Sequence, residues 1–318
     1  MIAALNFRRA RENFIKNSSD FHPGRAPIPA FLRLLAPGTT EERLEQMADG
    51  ERIFVQAIRR YCAQHGITVD VRPGGWLIAM RRDERRHLAF GYDIGLNSAI
   101  AHRLANDKSA TSEALEMAGV PCVPHRLFLN PRLGRNVVGP TWREAMLELL
   151  RAHPQGVVVK PNEGTSGRLV FKVSTEAELD HAVDDVFSMS AGLAISPYLA
   201  IEDEVRVVQL GDLPLVVYSK QRGSDWRHNL DATAKPVLLE DGEVRTACVK
   251  LAVDAASAIG IAFASIDVVR VDREWKVLEI NSGVMMEALG KLHPELVQAT
   301  YDAALDRVFG EDERMFQL

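Results

Sequence analysis

The chain has 318 residues, 47% hydrophobic and 25% charged, a balance that supports one large core or two to three small ones. Its net charge of -5 argues against a protein whose main partner is nucleic acid. No run of about 18 uncharged apolar residues is present to span a membrane, and the scattered cysteines Cys62, Cys122 and Cys248 form neither a disulfide framework nor a zinc site, which points to a reducing cytoplasm.

Residues 1–40 are rich in proline and glycine and read as an irregular arm with a short helix at 30–35. Arg8, Arg9 and Arg11 have no apolar run behind them, so the start does not read as a signal peptide. Thr39-Thr40-Glu41-Glu42 has the composition of a helix start. A second helix is expected over 51–65. Strands at 67–71 and 76–80 flank a turn at Arg72-Pro73-Gly74-Gly75. The charge run 81–86 reads as a solvated loop. Helices follow at 98–105 and 108–118, with Asp107 as the cap of the second and Gly119 as its stop. Lys108 then falls in a first helical turn, where the dipole disfavours a cation. A nearby anion would explain it, and so would an ordinary surface lysine.

A strand at 123–129 and a helix at 142–152 lead to Val157-Val158-Val159-Lys160, a buried-looking strand ending in lysine. The loop Pro161-Asn162-Glu163-Gly164-Thr165-Ser166-Gly167-Arg168 joins it to a strand at 169–173. Such a hairpin tip can present backbone N–H groups to a phosphate, although most such turns are only turns. It is not a Walker A loop, because no Gly-Lys-Ser/Thr and no helix follow. A helix at 175–187, a strand at 193–198 and a hairpin of 204–210 with 213–220 come next, the last turning at Gly211-Asp212. Residues 221–233 form a long polar loop, either a substrate-handling element or a surface excursion. A helix at 244–259 stops at Gly260, and the last helix is expected over 295–309.

Between them lie two strands, Ile266-Asp267-Val268-Val269-Arg270 and Lys276-Val277-Leu278-Glu279-Ile280-Asn281, joined by a turn at Asp272-Arg273-Glu274. Glu279 and Asn281 are two apart and share a strand face. Buried carboxylates need a cation, and hard oxygens of this kind suit Mg²⁺. A surface hairpin with its polar face in water is the other reading.

In this order, the lysine-bearing helix start, the strand–lysine–glycine-loop hairpin, the acid-x-Arg of Glu204 and Arg206, the Arg227-x-Asn229 loop and the Asp…Glu-x-Asn strand pair resemble the ATP-grasp ligases. Asp107-Lys108-Ser109-Ala110-Thr111 and Ala118-Gly119-Val120-Pro121 add to that likeness, which covers about residues 97–281. The nearest likenesses are glutathione-synthetase-type enzymes, the ATP-grasp part of cyanophycin synthetase, and the glutamate ligases that modify ribosomal protein. The resemblance implies an α+β protein with the ATP-grasp fold, two α+β subdomains gripping ATP. It implies a small N-terminal α/β region at 1–96 and an ATP-grasp domain at 97–318, with a lid subdomain at about 125–200.

By the same resemblance, Lys108 and Lys160 contact the ATP phosphates, and Gly164, Thr165, Ser166 and Gly167 close over the γ-phosphate. Ser196, Tyr198 and Leu199 form the adenine hinge, with Pro197 removing one N–H donor, and Glu204 holds the ribose. Arg206, Lys220, Arg227 and Asn229 serve catalysis, Lys220 standing where glutathione synthetases usually have arginine. Asp267, Glu279 and Asn281 hold one or two Mg²⁺ ions, which Mn²⁺ can replace. Glu287 is either an ammonium holder or a helix-start acid. The implied activity is ATP-dependent carboxylate–amine ligation through an acyl phosphate, acting on an amino acid or small peptide. An ATP-grasp kinase acting on a hydroxyl and a non-catalytic ATP-binding regulator are the alternatives. No nucleic-acid or membrane partner is expected, and a homo-oligomer, dimer or tetramer, is.

Overall fold

The elements that carry the cleft are strands whose two faces have different jobs. The structure, a computed structural model, describes residues 51–131, 142–164, 167–221 and 235–310. These begin with α1 (Ile53–Gln64), β1 (Thr68–Val71), β2 (Leu77–Arg82) and β3 (Arg85–Phe90). The three strands form an antiparallel sheet in the order β1-β2-β3. The charge run at 81–86 is therefore not a loop. Arg81 pairs with Arg86 and Arg82 with Arg85 across a tight turn, where Asp83 adopts φ 54°. The alternation of β2 and β3 continues through the arginines, and pairing with neighbouring strands overrides the local preference of charges for irregular backbone.

Next come α2 (Ala99–Asn106) and α3 (Lys108–Met117). Ser98 accepts from Ala101 N at 3.1 Å and Asp107 from Ala110 N at 2.8 Å, so both helices start on side-chain caps. The following segment holds β4 (Arg126–Leu129), α4 (Trp142–Ala152), β5 (Val157–Pro161), β6 (Phe171–Val173), α5 (Glu176–Met189) and β7 (Gly192–Pro197). Its four-stranded antiparallel sheet runs β4-β7-β5-β6. One face of that sheet buries Phe128, Val157, Val159 and Ile195 against Met146, Leu150, Val183 and Val186 of the two helices. Thr175 and Glu178 form a reciprocal capping box at the start of α5.

The largest sheet, in the order β10-β9-β8-β11-β12, contains β8 (Asp203–Leu210), β9 (Leu213–Gln221), β10 (Lys235–Leu238), β11 (Phe263–Val271) and β12 (Glu274–Asn281). The helices α6 (Glu243–Ile259), α7 (Glu287–Gly290) and α8 (Pro294–Phe309) complete the described chain. On one face Val205, Val207, Val217, Ala264 and Ile266 pack on Leu251, Ala252 and Ala255 of α6. On the other face Val208, Val216 and Phe263 join a core with Phe54 and Ile58 of α1, Ile78 of β2 and Tyr301 of α8. Residues between Phe54 and Ile94 thus share a core with the large sheet. Only the part of that second face beyond the apolar cluster stays open, and there the charged residues stand.

β10 and the short α7 go beyond the sequence reading. The arm at 1–40, the helix start at Thr39 and the polar loop at 222–233 lie outside the described residues. Among the described residues, no helix is long and apolar enough to cross a membrane.

Candidate active site

The open face of the large sheet collects side chains by strand alternation. Arg206 pairs with Tyr218 on one neighbour and Asp267 on the other, and Asp267 pairs with Glu279. Directly paired residues share a face. Arg206, Asp267 and Glu279 therefore stand in one row, with Glu204, Lys220 and Asn281 two residues along their strands. The turn that joins β11 to β12 has Asp272 and Arg273 at φ 51° and 67°, the both-positive geometry of a tight hairpin.

Charges in this row compensate one another. The Arg206 guanidinium donates twice to Asp267, Nε to Oδ1 and Nη2 to Oδ2, both at 2.7 Å. Lys220 Nζ donates to Asp267 Oδ2 at 2.8 Å and to Glu204 Oε1 at 2.5 Å. Burial alone would raise the Asp267 carboxyl, but Arg206 and Lys220 outweigh it and hold Asp267 well below the usual carboxylate range. Burial raises Glu204 to about 7, against the opposing pull of Lys220. Asn281 Nδ2 donates to Glu279 Oε1 at 3.3 Å, which turns the amide oxygen of Asn281 away from that carboxylate.

The opposite wall comes from the four-stranded sheet and the start of α3. Asn162 organises it. Its Oδ1 accepts from Ser109 N at 3.1 Å and from Ser109 Oγ at 2.8 Å, and its carbonyl accepts from Lys108 N at 3.1 Å. This pins the helix start beside the β5–β6 loop. Lys108 Nζ then donates to Gly164 O at 2.8 Å. Burial lowers the Lys108 ammonium and lowers Lys160 to about 8, with the Glu279 carboxylate opposing both. Gly164 and Gly167 have φ of 136° and 65°, backbone that favours glycine. Asn162→Ala leaves the buried Ser109 N–H and hydroxyl without their acceptor. It is expected to lower stability by about 1–3 kcal/mol. Denaturant unfolding checks this, and an unchanged midpoint would refute it.

Between the walls is a cleft of about 600 Å³. Lys108, Lys160, Gly164 and Gly167 line one side of it, and Glu204, Arg206, Lys220, Glu279 and Asn281 the other. Asp267 is 1% exposed and lies beneath Arg206 and Lys220 rather than on the surface of the cleft. Ser196, Tyr198 and Leu199, at the end of β7, do not line it. Tyr198 N is already bonded to Gly156 O at 3.0 Å, and Lys172 Nζ sits 3.5 Å from the centre of the Tyr198 ring. Leu199 packs with Val123, Val269 and Leu278. Thr165, Ser166, Arg227 and Asn229 lie outside the described residues.

Several lining residues had no signal in the sequence. Leu278 is skipped in the β11–β12 register, where Asp267 pairs with Glu279 and Val268 with Val277. That bulge re-aims Leu278 into the cleft. Three hydroxyls on the lining, of Tyr218, Ser265 and Ser282, are buried with no protein partner in the described chain. Buried polar atoms of this kind require a ligand or water. The mouth of the cleft is aromatic, with Trp76, Phe90 and Tyr92. Arg52 holds this wall together. It donates to Gly91 O at 2.9 Å and to Gly75 O, and its guanidinium lies 4.5 Å from the Trp76 ring centre and 4.7 Å from that of Tyr92.

Glu287 proves to be a structural acid. Its carboxylate accepts from Ile53 N at 2.9 Å, Phe54 N at 3.4 Å and Tyr92 Oη at 3.1 Å. It caps the start of α1 and tethers Tyr92, and it also lines the cleft.

Comparison with known proteins agrees with this architecture. Residues 139–294 match the family described as RimK-like ATP-grasp domain. A protein of Pseudoalteromonas translucida named "Probable alpha-L-glutamate ligase" is 26% identical over 202 residues, spanning 61% of each chain. Another of Shewanella amazonensis, "Probable alpha-L-glutamate ligase 2", is 28% identical over 138 residues, 42% of this chain and 44% of that one. The aligned part thus spans 61% and 44% of the length of these two relatives. Among solved structures, D-alanine–D-alanine ligase from Bacillus anthracis superposes with a TM-score of 0.52 at 18% identity, covering 66% of this chain and 67% of the other. With its α+β layers and its cleft between two sheets, the chain has the fold of the ATP-grasp ligases, and residues 139–294, just under half of it, are similar to the RimK-like ATP-grasp domain.

Proposed function

We propose that the protein is an ATP-dependent carboxylate–amine ligase acting on an amino acid or small peptide. The observation that carries this is the facing of Lys108 and Lys160 on one wall with Arg206, Lys220, Glu279 and Asn281 on the other, across one cleft. A triphosphate brings several negative charges and a dispersed transition state, and cations from both walls suit it. The relatives' name, glutamate ligase, supports amide-bond chemistry.

In this reading residues 97–318 form the ATP-grasp domain. The segment at about 125–200 forms the lid and carries Lys160 and the Gly164–Gly167 loop. Lys108 and Lys160 take the phosphates, and the loop closes over the γ-phosphate. Glu204 takes the ribose. Ser196, Tyr198 and Leu199 are the adenine hinge by resemblance, with Pro197 lacking an N–H and Tyr198 N already bonded to Gly156 O. Arg227 and Asn229 belong to the same machinery by resemblance. The carboxylate oxygen of one substrate attacks the γ-phosphorus and ADP leaves. The amine of the second substrate then attacks the acyl carbon, phosphate leaves, and the nitrogen loses a proton. Arg206 and Lys220 stabilise the charge that develops. The covered cleft keeps water from the acyl phosphate.

The donor set suits Mg²⁺. Among the described residues no three His, Cys, Asp or Glu side chains converge as a metal cage. Glu279 with the Asn281 amide oxygen is instead the sparse oxygen set that Mg²⁺ uses beside phosphates. Asp267 would share its charge between the ion and Arg206 and Lys220. When bound there, Mg²⁺ neutralises phosphate charge as a Lewis acid. The thiols of Cys62, Cys122 and Cys248 are unpaired and pushed up by burial, in keeping with a reducing compartment.

The deciding experiment is ADP release from pairs of amino acids and peptides, with mass spectrometry of the products. ADP formation that needs both an acid and an amine supports ligation. A phosphorylated product indicates a kinase, and ATP binding with no turnover indicates a regulator. Lys160 offers a separate check. At pH 9 a Lys160 with pKa about 8 is mostly neutral, and an arriving triphosphate raises it toward 10.5. Binding of ATP is therefore expected to take up close to one proton near pH 9 and almost none near pH 7. Calorimetry in buffers of different ionisation enthalpy reads this. Uptake that persists in Lys160→Met would sink the assignment.

A further inference from the structure

We propose that the outer face of the β1–β2–β3 sheet is a docking track for an extended, acidic peptide segment of the substrate, an inference that rests on the ligase reading above. Alternation divides this sheet sharply. Ile78, Met80 and Ala89 point inward and are buried in the shared core. The other parity points outward. There Leu77 pairs with Phe90, Ala79 with Leu88 and Arg81 with Arg86. Leu88 is 46% exposed, Phe90 68%, and Trp76, just before the strand, 54%. Isolated exposed apolar residues mean little, but a contiguous patch marks a contact surface.

Two observations say what covers it. The first is continuity. Trp76 and Phe90 both line the wall of the cleft, and Phe90 is also the near end of this patch. A chain leaving the cleft meets them first. The second is charge. At the far end Arg81 and Arg86 stand directly opposite one another and exposed, with no ion-pair partner among the described residues. Like charges in that position are unfavourable on their own. The second arginine pair does not share the face. Arg85 lies over the Phe309 ring at 5.8 Å on the inner side, and Arg82 pairs with Arg85. Of the nearby acids, Asp70 is engaged by Arg72 at 3.4 Å, and Asp83 and Glu84 occupy the turn.

From Phe90 to Arg86 the strand advances about 13 Å at 3.3 Å per residue. An extended peptide covers the same distance in about four residues. The matching ligand has its reacting end in the cleft, an apolar side chain on Trp76 and Phe90, and carboxylates about four residues further on. Charge complementarity at the far end sets its specificity more than its affinity.

The test uses the full chain and labelled serine–glycine peptides carrying one phenylalanine and, about four residues on, a run of glutamates or of lysines. Fluorescence anisotropy at low salt should show the glutamate peptide binding about five- to tenfold tighter than the lysine peptide, with the difference shrinking as salt rises. Arg81→Gln with Arg86→Gln should bring the two peptides level, and R81E with R86E should invert the preference. Phe90→Ser should weaken both peptides. Equal binding of the two peptides by the wild type would overturn the proposal, as would an unchanged preference in the folded glutamine variant. So would an oligonucleotide binding as tightly as the glutamate peptide and depending on the same arginines. ATP binding measured on each protein separates the two readings. Lost peptide preference with intact ATP binding removes the track alone, and a wild type that binds no ATP removes the ligase.

Discussion

Glu279→Gln is expected to lower ADP formation by about 10²–10³ in kcat, the scale set by removing one group that stabilises transition-state charge. The substitution keeps the volume of the side chain and its bond with Asn281 Nδ2, now to an amide oxygen. It removes the half-buried carboxylate that faces Lys108 and Lys160 across the cleft. Two further consequences separate this from a general loss of fold. The Mg²⁺ concentration needed for half-maximal rate should rise, because a carboxylate has been exchanged for a weaker neutral donor. Stability without nucleotide should change less than for a buried ion pair, because Glu279 has no ion-pair partner inside 4 Å among the described residues and meets the cations of the cleft only at longer range. Steady-state rates across a Mg²⁺ series measure this. A variant within tenfold of the wild type, at an unchanged Mg²⁺ requirement, would remove Glu279 from the metal site.

Asp267→Asn is expected to act on stability as strongly as on rate. Asp267 is buried under two cations, Arg206 at 2.7 Å and Lys220 at 2.8 Å. Neutralising it leaves both with less compensating charge in a dry place. Breaking a buried ion pair from one side costs about 3–5 kcal/mol. The sign of the pH dependence follows from the depressed carboxyl. An acid whose folded pKa lies below its unfolded value near 3.9 adds stability above that value and loses it as the pH falls through the folded one. The wild type should therefore exceed the variant fully at neutral pH, with the gap closing below about pH 4. Denaturant unfolding over an acid series, without Mg²⁺ or nucleotide, is the measurement. If the variant matches the wild type at pH 7, the carboxylate is held for the metal alone. The two variants thus divide the pair of acids. In the proposed ligase, one is expected to act mainly on metal and rate, the other also on the scaffold.

Much of the molecule could be read from order and spacing. Helix starts at Ser98, Asp107 and Thr175 stand where a capping side chain precedes an apolar run, and a cap needs only its neighbours along the chain. The stop at Gly260, in left-handed backbone, is equally local. The shared face of Glu279 and Asn281 follows from the period of a strand. These statements depend on residues within a few positions of one another.

What required the tertiary structure was every relation between distant segments. The charge run at 81–86 looked like a solvated loop because nothing nearby says that Arg81 meets Arg86 across a hairpin and that Met80 enters a core with Tyr301. Glu287 could have served substrate or fold. Only the approach of the Ile53 and Phe54 amides, more than two hundred residues earlier, shows its role in the fold. Leu278 enters the cleft through a one-residue slip between two strands, which no spacing within its own strand encodes. Asp267 shows the same division most clearly. Its presence on a strand beside Glu279 is written in the sequence, but its engagement by Arg206 and Lys220 comes from two other strands of the sheet. Local backbone preferences act over a few residues, whereas the compensation of a buried charge is decided by whichever cations the packed sheet brings within about 3 Å.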